Sequence, residues 1–202
     1  MLFWCIISFE RSDYMYSLFI DTHSSNIVLI LYKDKKIIKK ITQESNMSHS
    51  VYCLPLIKEL LEGSKLELKD LSLLLVVNGP GSFTGIRIGM TIAKTIAYSL
   101  NIPIKLIDSL LIKALNIDES TKYISLEDKH GAFIGVFNHD NEVIEPYRYV
   151  KSSEYKELSK KNKYLNDVVI DYKKVILYAS KIDNVNPHSA NPLYIKDVEV
   201  NK

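Results

Sequence analysis

A glycine-rich segment is the part of this sequence best suited to do chemistry. It runs from Gly79 to Gly89 and reads Gly-Pro-Gly-Ser-Phe-Thr-Gly-Ile-Arg-Ile-Gly, between a predicted buried strand and a predicted long helix. A turn that leads into a helix presents free N–H groups and the positive end of the helix dipole, and both attract phosphate. The segment is not a Walker A loop, because Ile86-Arg87 stands where Lys-Ser/Thr would be needed. Its spacing alone leaves phosphate binding open.

The helix that follows this turn favours a second role, which is packing. Two glycines and two alanines recur every four residues along it: Gly85, Gly89, Ala93 and Ala97. At this spacing they form a stripe of small side chains on one helix face, and such a stripe lets another helix approach closely. The preceding helix has apolar residues on more than one face: Val51, Leu54, Leu56, Ile57, Leu60 and Leu61. We therefore predict that the helix glycines serve packing, with one face of the helix pair offered to a partner.

The histidines and cysteines show no spacing that is typical of a metal site. The histidines are His23, His49, His130, His139 and His188, and none forms an HxxxH or HExxH pair. Cys53 follows His49 by four residues, but nothing obvious completes a ligand set. We interpret His49 as a helix-cap or interface residue. Since no Ser/His/Asp or Cys/His set suggests a nucleophile either, we predict no catalytic residue and no metal on this chain.

Composition indicates a globular protein without a nucleic-acid groove of its own. The 202 residues are 47% hydrophobic, and 26 basic residues nearly balance 24 acidic ones. Lysines without dense clusters are typical of a solvated surface. The two cysteines lack disulfide spacing, which fits a reducing cytoplasm. The apolar opening, residues 1–9, is too short to span a bilayer and lacks the features of a signal peptide, so we predict a cytoplasmic protein.

The predicted elements of the first half form an α/β pattern. We predict strands at residues 17–21, 26–32, 36–42, 71–78 and 102–107, and helices at 48–62 and 83–100. Ser48 is expected to cap the first helix and Gly63 to end it. Three strands, helix, strand, helix, strand is the order of a ribonuclease-H-like or actin-like lobe.

The second half has a weaker pattern. It predicts strands at residues 122–126, 131–138, 142–150 and 174–178, and a short helix at 153–161. Because actin-like proteins pair two related lobes, we expect a second lobe that is a reduced copy of the first. The predicted organisation is an N-terminal extension (1–14), a ribonuclease-H-like lobe with the partner-binding helices (15–108) and a smaller, degenerate C-terminal lobe (109–202).

Motifs across residues 17–109 resemble one known family. In chain order they are Asp21-Thr22, His49-Ser50, Leu54-Pro55-Leu56-Ile57, Leu60-Leu61, Leu68-Lys69-Asp70-Leu71, the glycine-rich segment, Ala93-Lys94 and Asn101-Ile102-Pro103. Together they look like the TsaB (YeaZ) family of tRNA threonylcarbamoyladenosine biosynthesis proteins. The match resumes weakly at 126–137 and at Pro192-Leu193-Tyr194-Ile195-Lys196, whereas 151–190 match poorly.

The resemblance implies a non-catalytic scaffold, or activator, of the complex that modifies adenosine 37 of ANN-decoding tRNAs. It implies pairing with a TsaD-like catalytic subunit, recruitment of a TsaE-like ATPase, and contact with tRNA through the complex. No cofactor is expected on this chain alone, while ATP or ADP is expected at the complex interface. A histidine pair that holds metal in the catalytic relative is missing here from residues 106–111. The expected partner interface comprises His49, Leu54, Ile57, Leu61, Gly85, Gly89, Ala93 and Ala97.

Asp21 leaves an alternative function open. In actin-like ATPases an acidic residue on the first strand works with Mg²⁺ and phosphate. The candidate phosphate or nucleotide contacts here would be Asp21, Gly79, Gly81, Ser82 and Thr84. The chain could then be a small actin-fold ATPase or kinase. We favour a hairpin role instead, in which the Asp21 side chain bonds nearby backbone N–H groups.

Two further interpretations remain at this stage. A glycoprotein-directed metalloprotease is a label that related sequences have carried, and it would require bound metal. A homodimer through the same two helices is compatible with the scaffold interpretation when the partner is absent.

Overall fold

A five-stranded mixed sheet occupies the first half of the computed structural model, which describes residues 16–45 and 48–195. Its strands are β1 (Tyr16–Asp21), β2 (Asn26–Lys33), β3 (Lys36–Glu44), β4 (Leu71–Val77) and β5 (Ile104–Ile107). They lie in the order β3-β2-β1-β4-β5. Strand β2 is antiparallel to both of its neighbours, β1 and β3, whereas β1, β4 and β5 are parallel. The carboxyl ends of β1, β4 and β5 therefore meet at one edge. The predicted extension, residues 1–14, lies outside the described residues.

Two helices cover one face of this sheet. They are α1 (His49–Glu62) and α2 (Phe83–Leu100), and their apolar sides share a core with β1, β2 and β4. Each helix connects two strands that run in the same direction, β3 to β4 and β4 to β5, so each must run back across the sheet. Both helices therefore begin at the edge where β1 ends. Because β1, β2 and β4 are covered on both faces, their sequences read as nearly continuous apolar runs.

A second, three-stranded sheet forms most of the second half. It contains β6 (Thr121–Glu127), β7 (Gly131–Asn138) and β8 (Val143–Lys151) in antiparallel order. The short helix α3 (Ser109–Ala114) packs on one face with Phe133 and Phe137. Helix α4 (Ser152–Lys161) follows β8 directly, and its Tyr155 and Leu158 pack on the other face. The elements that the sequence predicts here are therefore largely present.

The strand predicted at residues 174–178 is wrong, because this stretch belongs to helix α5 (Tyr172–Ala179). The Asp171 side chain accepts a hydrogen bond from Lys173 N at 2.9 Å and so caps the helix. Val175, Ile176 and Ala179 are buried against the face of the first sheet opposite to α1 and α2. Apolar residues at this spacing identify a helix, but two turns are too few for the period to be distinct in the sequence.

The predicted bounds of α1 are confirmed, but the capping predicted at its two ends is not. The Ser48 side chain makes no capping hydrogen bond, and Gly63 keeps a right-handed helical conformation with φ −65°. The chain turns two residues later at Lys65, where φ is +57°. There Leu66 N donates to Leu61 O and Lys65 N donates to Glu62 O. The left-handed residue that follows α1 is therefore Lys65, whereas the sequence suggested Gly63.

Helices of the described ranges do not combine the length and the apolar character that a bilayer span requires.

Candidate functional site

The Asp21 side chain at the end of β1 is used within its own turn. One carboxylate oxygen accepts the His23 backbone N–H at 3.0 Å and lies 2.6 Å from His23 Nδ1. Asp21 is almost completely buried, with 3% of its surface exposed. The hairpin role that we favoured for Asp21 is therefore confirmed by these hydrogen bonds.

Thr22, the next residue, explains the glycines of α2. Its hydroxyl donates to the Gly85 carbonyl at 2.8 Å. A Cβ on Gly85 would overlap the Thr22 carbonyl oxygen, and a Cβ on Gly89 would overlap the Thr22 hydroxyl. The β1–β2 turn (residues 22–25) therefore lies directly on the stripe, and only glycine leaves enough room there.

The glycine-rich turn before α2 is closed by the same β1–β2 turn. Gly81 has φ +151°, and a Cβ on it would overlap the His23 carbonyl. That carbonyl accepts the Ser82 N–H at 2.7 Å. The Ser82 hydroxyl in turn caps α2 by accepting the Gly85 N–H at 3.2 Å. The structure thus brings Asp21, Gly81 and Ser82 near one another, but it pairs several of their polar groups internally.

The other two members of the predicted phosphate turn lie on either side of it. Gly79 has φ +120°, forms a cis peptide bond with Pro80, and lies beside the Leu193 carbonyl. Thr84 is exposed in the first turn of α2. Phosphate or nucleotide contact at this turn stays a prediction.

His49 fixes the beginning of α1 to the β1–β2 turn. Its Nε2 lies 2.8 Å from the Ser24 carbonyl, to which it donates, and its ring is buried beside the Ser45 hydroxyl. Ser45 in turn donates to the Ser25 carbonyl through both its hydroxyl and its backbone N–H. The N-terminal ends of both α1 and α2 therefore hold the same turn between them.

Most of the predicted interface residues are inside the molecule, which corrects the predicted docking stripe. Seven of the eight are buried: His49, Ile57, Leu61, Gly85, Gly89, Ala93 and Ala97. The physical reason is that the small-residue stripe faces the sheet core and Thr22, so the chain itself fills the space that we assigned to a partner. Leu54 alone of the eight is exposed, with 53% of its surface accessible.

Other apolar side chains on the same two helices face outward. On α1 they are Val51, Tyr52 and Leu54, and on α2 they are Phe83 and Tyr98. Between 40% and 65% of each side chain is accessible. We call these five residues the outer apolar face. Periodicity predicted that one face of the helix pair would be free, but it did not identify which residues form it.

Residues 186–194 run along α2 in the opposite direction. Near the end of α2, the His188 ring packs edge-on against Tyr98 at 5.0 Å, and Lys94 donates to the Ala190 carbonyl at 2.8 Å. Leu193 N then donates to the Asn78 carbonyl at 2.7 Å. This segment places Tyr194 beside the first turn of α2. The weak motif at residues 192–196 was the only sequence signal for this contact.

Asp108 links the glycine-rich turn to the second sheet. Its carboxylate caps α3 by accepting the Leu111 N–H at 2.7 Å, and it accepts the Tyr147 hydroxyl of β8 at 3.2 Å. Burial raises the pKa of this carboxyl to about 6. The next residue, Ser109, donates its hydroxyl to the Pro80 carbonyl at 2.6 Å. Sequence analysis missed Asp108, whose type and position are those of an ordinary N-cap.

Potential metal ligands do not gather in residues 16–45 and 48–195, where no three His, Cys, Asp or Glu side chains form a group suited to an ion. Cys53 is a buried thiol in the core between α1 and the sheet, and burial raises its pKa to about 11. In the same described ranges the Asn78 Oδ1 atom is buried without a hydrogen-bond partner. It lies just after β4, between the ends of β1 and β5.

Comparison with known protein families finds a match within the first two thirds of the chain. The family model described as TsaD, tRNA N6-adenosine threonylcarbamoyltransferase, matches residues 36–126. Among curated relatives, the tRNA threonylcarbamoyladenosine biosynthesis protein TsaB of Bacillus subtilis is 34% identical over 129 residues, which cover 62% of this chain and 56% of the relative. TsaB of Buchnera aphidicola subsp. Schizaphis graminum is 41% identical over 95 residues, covering 47% and 45%. The chain thus spans about half the length of these relatives.

Comparison with solved structures confirms the fold. YeaZ from Pseudomonas aeruginosa superposes with a TM-score of 0.72 at 15% identity, covering 88% of this chain and all of that one. The structure of an uncharacterized protein with similarity to peptidase YEAZ from Pseudomonas aeruginosa gives a TM-score of 0.75 at 15% identity, covering 90% of this chain and all of that one. The predicted α/β fold of the actin-like class is therefore confirmed.

Proposed function

Because this chain is a relative of the TsaB (YeaZ) proteins, we propose that it acts in forming N6-threonylcarbamoyladenosine at position 37 of ANN-decoding tRNAs. Its role is that of a scaffold without catalytic residues, paired with a TsaD-like catalytic subunit. The names of the curated relatives and the match to the family model support the pathway. The internal pairing of the Asp21 carboxylate supports the scaffold role, because that group already serves its own turn.

The outer apolar face is the surface on which this proposal places the partner. Single exposed apolar residues are normal on a protein, but Val51, Tyr52 and Leu54 cluster within one turn of α1. Phe83 lies at the beginning of α2, which starts at the same sheet edge as α1. Aromatic and aliphatic side chains gathered in this way are typical of the centre of a protein interface. This cluster is the observation that carries the proposal.

The remaining parts of the assembly belong to the same proposal. A TsaE-like ATPase joins the pair, and tRNA contacts this chain through the complex. ATP or ADP binds at the interface between the subunits, and the complex works in the cytoplasm. In the absence of the partner, two copies of this chain cover the same face as a homodimer.

Binding to the TsaD-like subunit of the same genome tests the surface. Leu54→Glu places a charge in the outer apolar face, and we expect the Kd measured by calorimetry to rise at least tenfold. Leu177→Glu is the matched control, because Leu177 is 52% exposed on α5, across the sheet from α1. Both variants should keep the wild-type thermal midpoint. Equal binding by the two variants would remove the outer apolar face from the interface.

The pathway is tested in cells. Depletion of the protein, followed by mass spectrometry of tRNA nucleosides, should lower the level of threonylcarbamoyladenosine. Re-expression of wild type and of Leu177→Glu should restore it, and re-expression of Leu54→Glu should not. An unchanged nucleoside level after depletion would overturn the proposed function.

A further inference from the structure

Arg87 on α2 is held in place by two aromatic rings. The carbon at the centre of its guanidinium lies 3.7 Å from the centre of the Phe83 ring and 5.7 Å from that of Tyr194. Its Nε donates to the Tyr194 hydroxyl at 3.0 Å, and the two rings lie 5.5 Å apart. Tyr194 follows Leu193, whose backbone is bonded to Asn78. The guanidinium is therefore positioned before any ligand arrives.

The outer edge of this guanidinium has no anionic partner within the described ranges. The ion pairs found there do not include Arg87, and its one hydrogen bond uses Nε. Arginine carries five N–H donors, so the four on the two terminal nitrogens are not used by this part of the chain. Arg148 shows the ordinary situation, because its Nη1 lies 2.6 Å from Glu154 on the surface of the second sheet. An exposed, pre-positioned arginine without a counterion is suited to a planar, two-oxygen anion.

The surroundings favour a protein carboxylate over the phosphates of RNA. Affinity for a phosphate backbone comes from several cations acting together. The only other basic residue on α2 is Lys94, and its Nζ already donates to two carbonyls of the 186–194 segment. What lies beside Arg87 is apolar instead, since Phe83 belongs to the outer apolar face. Arginine among aromatic residues is the composition of a protein-interface hot spot.

We propose that Arg87 binds an aspartate or glutamate side chain of the protein that docks on the outer apolar face, through a two-pronged salt bridge. This inference rests on the proposed function for the identity of that partner, the TsaD-like subunit. Phe83 and Tyr194 act as positioning residues, because they fix the guanidinium without touching the incoming carboxylate. Docking covers the ion pair with apolar surface, which shields it from water and salt.

Binding of the TsaD-like subunit to three variants tests the pairing. Arg87→Gln should raise the Kd at least tenfold, because a charged pair within an interface is lost. Arg87→Lys should recover only part of the affinity, since an ammonium cannot form the fork. Tyr194→Phe keeps the ring and loses the hydroxyl, so a smaller rise is expected. Arg148→Gln is the matched control and should bind like wild type.

The acid on the partner is found by a double-mutant cycle. Exposed Asp and Glu residues of the TsaD-like subunit are changed singly to Asn or Gln, and each is combined with Arg87→Gln. For one of these acids, the loss of affinity should not be additive with the loss caused by Arg87→Gln. The change of that acid alone and Arg87→Gln alone should each weaken the salt dependence of the Kd.

The outcomes separate the two proposals. If Arg87→Gln binds like wild type while Leu54→Glu does not, the carboxylate pairing is wrong and the proposed interface stands. If wild type itself fails to bind the TsaD-like subunit, the proposed function fails and the pairing fails with it. If Arg87→Gln weakens binding only when nucleotide or tRNA is added, the anion is a phosphate and the pairing is likewise overturned.

Discussion

The hydroxyl of Thr22 donates to the carbonyl of Gly85, and the carbonyl of Thr22 lies where a Gly85 side chain would begin. One residue of the β1–β2 turn thus bonds to α2 and also prevents that position from carrying a Cβ. The next glycine along the helix, Gly89, meets the Thr22 side chain instead of its backbone. This difference allows the two glycines to be tested separately.

Gly85→Ala should destabilise the protein by about 2 kcal/mol, because the new methyl group overlaps a backbone oxygen that cannot rotate away. Alanine is a better helix former than glycine by about 1 kcal/mol, so the observed loss is a net value. Urea unfolding followed by circular dichroism measures it. A stability equal to or above that of wild type would show that the turn does not lie on the helix as described.

The effect of Gly89→Ala on stability should depend on the residue at position 22. In wild type the new methyl group meets the Thr22 hydroxyl, and we expect a loss of about 1 kcal/mol. In a Thr22→Ala background that hydroxyl is gone and the nearest atom is the Thr22 Cβ position, 3.5 Å away. Adding Gly89→Ala there should stabilise by up to about 1 kcal/mol, through helix propensity alone. Gly85→Ala should show no such rescue by Thr22→Ala, and parallel rescue of both would contradict the geometry.

Asp108 should make the protein more stable in mild acid. Its pKa of about 6 in the folded state lies above the usual value of 3.8, because burial disfavours the charged form. The folded state therefore binds this proton more tightly than the unfolded chain, and stability should fall as the pH rises through about 6. Asp108→Asn keeps a residue type that caps helices and removes the buried charge. We expect it to exceed wild type by about 1–2 kcal/mol at pH 7.5 and by less at pH 5.

The control for that experiment is Asp171→Asn. Asp171 also caps a helix through its side chain, but it is exposed at the start of α5. It should give no gain at pH 7.5 in urea unfolding. If Asp108→Asn is no more stable than Asp171→Asn at that pH, burial of the Asp108 carboxylate costs little.

Lys113 on α3 should be required for the packing of the second sheet. Its Nζ donates to the Ser125 and Asn166 carbonyls, both at 2.7 Å, and burial lowers its pKa to about 8. Lys113→Met retains the aliphatic stem but leaves both carbonyls without this donor, so we expect a loss of about 1–3 kcal/mol. The exposed Lys161→Met should lie within about 0.5 kcal/mol of wild type. Equal unfolding midpoints for the two variants would argue against the buried lysine bridge.

Much of the fold could be predicted because its signals are local. Helix α2 has the predicted bounds, since Ser82 caps it and Asn101 ends it in a left-handed conformation with φ +52°. Strand β7 likewise occupies the predicted residues. In contrast, α5 is too short for its period to stand out. The left-handed residue of the turn after α1 is Lys65, whereas the sequence suggested Gly63, two residues earlier.

The candidate site was harder to predict because its packing joins distant parts of the chain. Periodicity correctly placed Gly85 and Gly89 on one face of α2, but it could not show that Thr22 covers that face. The same limit applies to Arg87, which reads as an ordinary helix residue until Tyr194 is seen beside it. From a single sequence, the helix face on which a residue lies is easier to predict than the distant residue that packs against it.

The contact between Arg87 and Tyr194 joins residues that are 107 positions apart. During synthesis the ribosome delivers α2 long before it delivers Tyr194, so the Arg87 guanidinium lacks its hydrogen bond to Tyr194 for most of that interval. A nascent chain therefore lacks the finished docking surface even after its first sheet has folded. The proposed assembly with a second protein through this arginine must therefore wait until Tyr194 has been synthesised and packs beside α2.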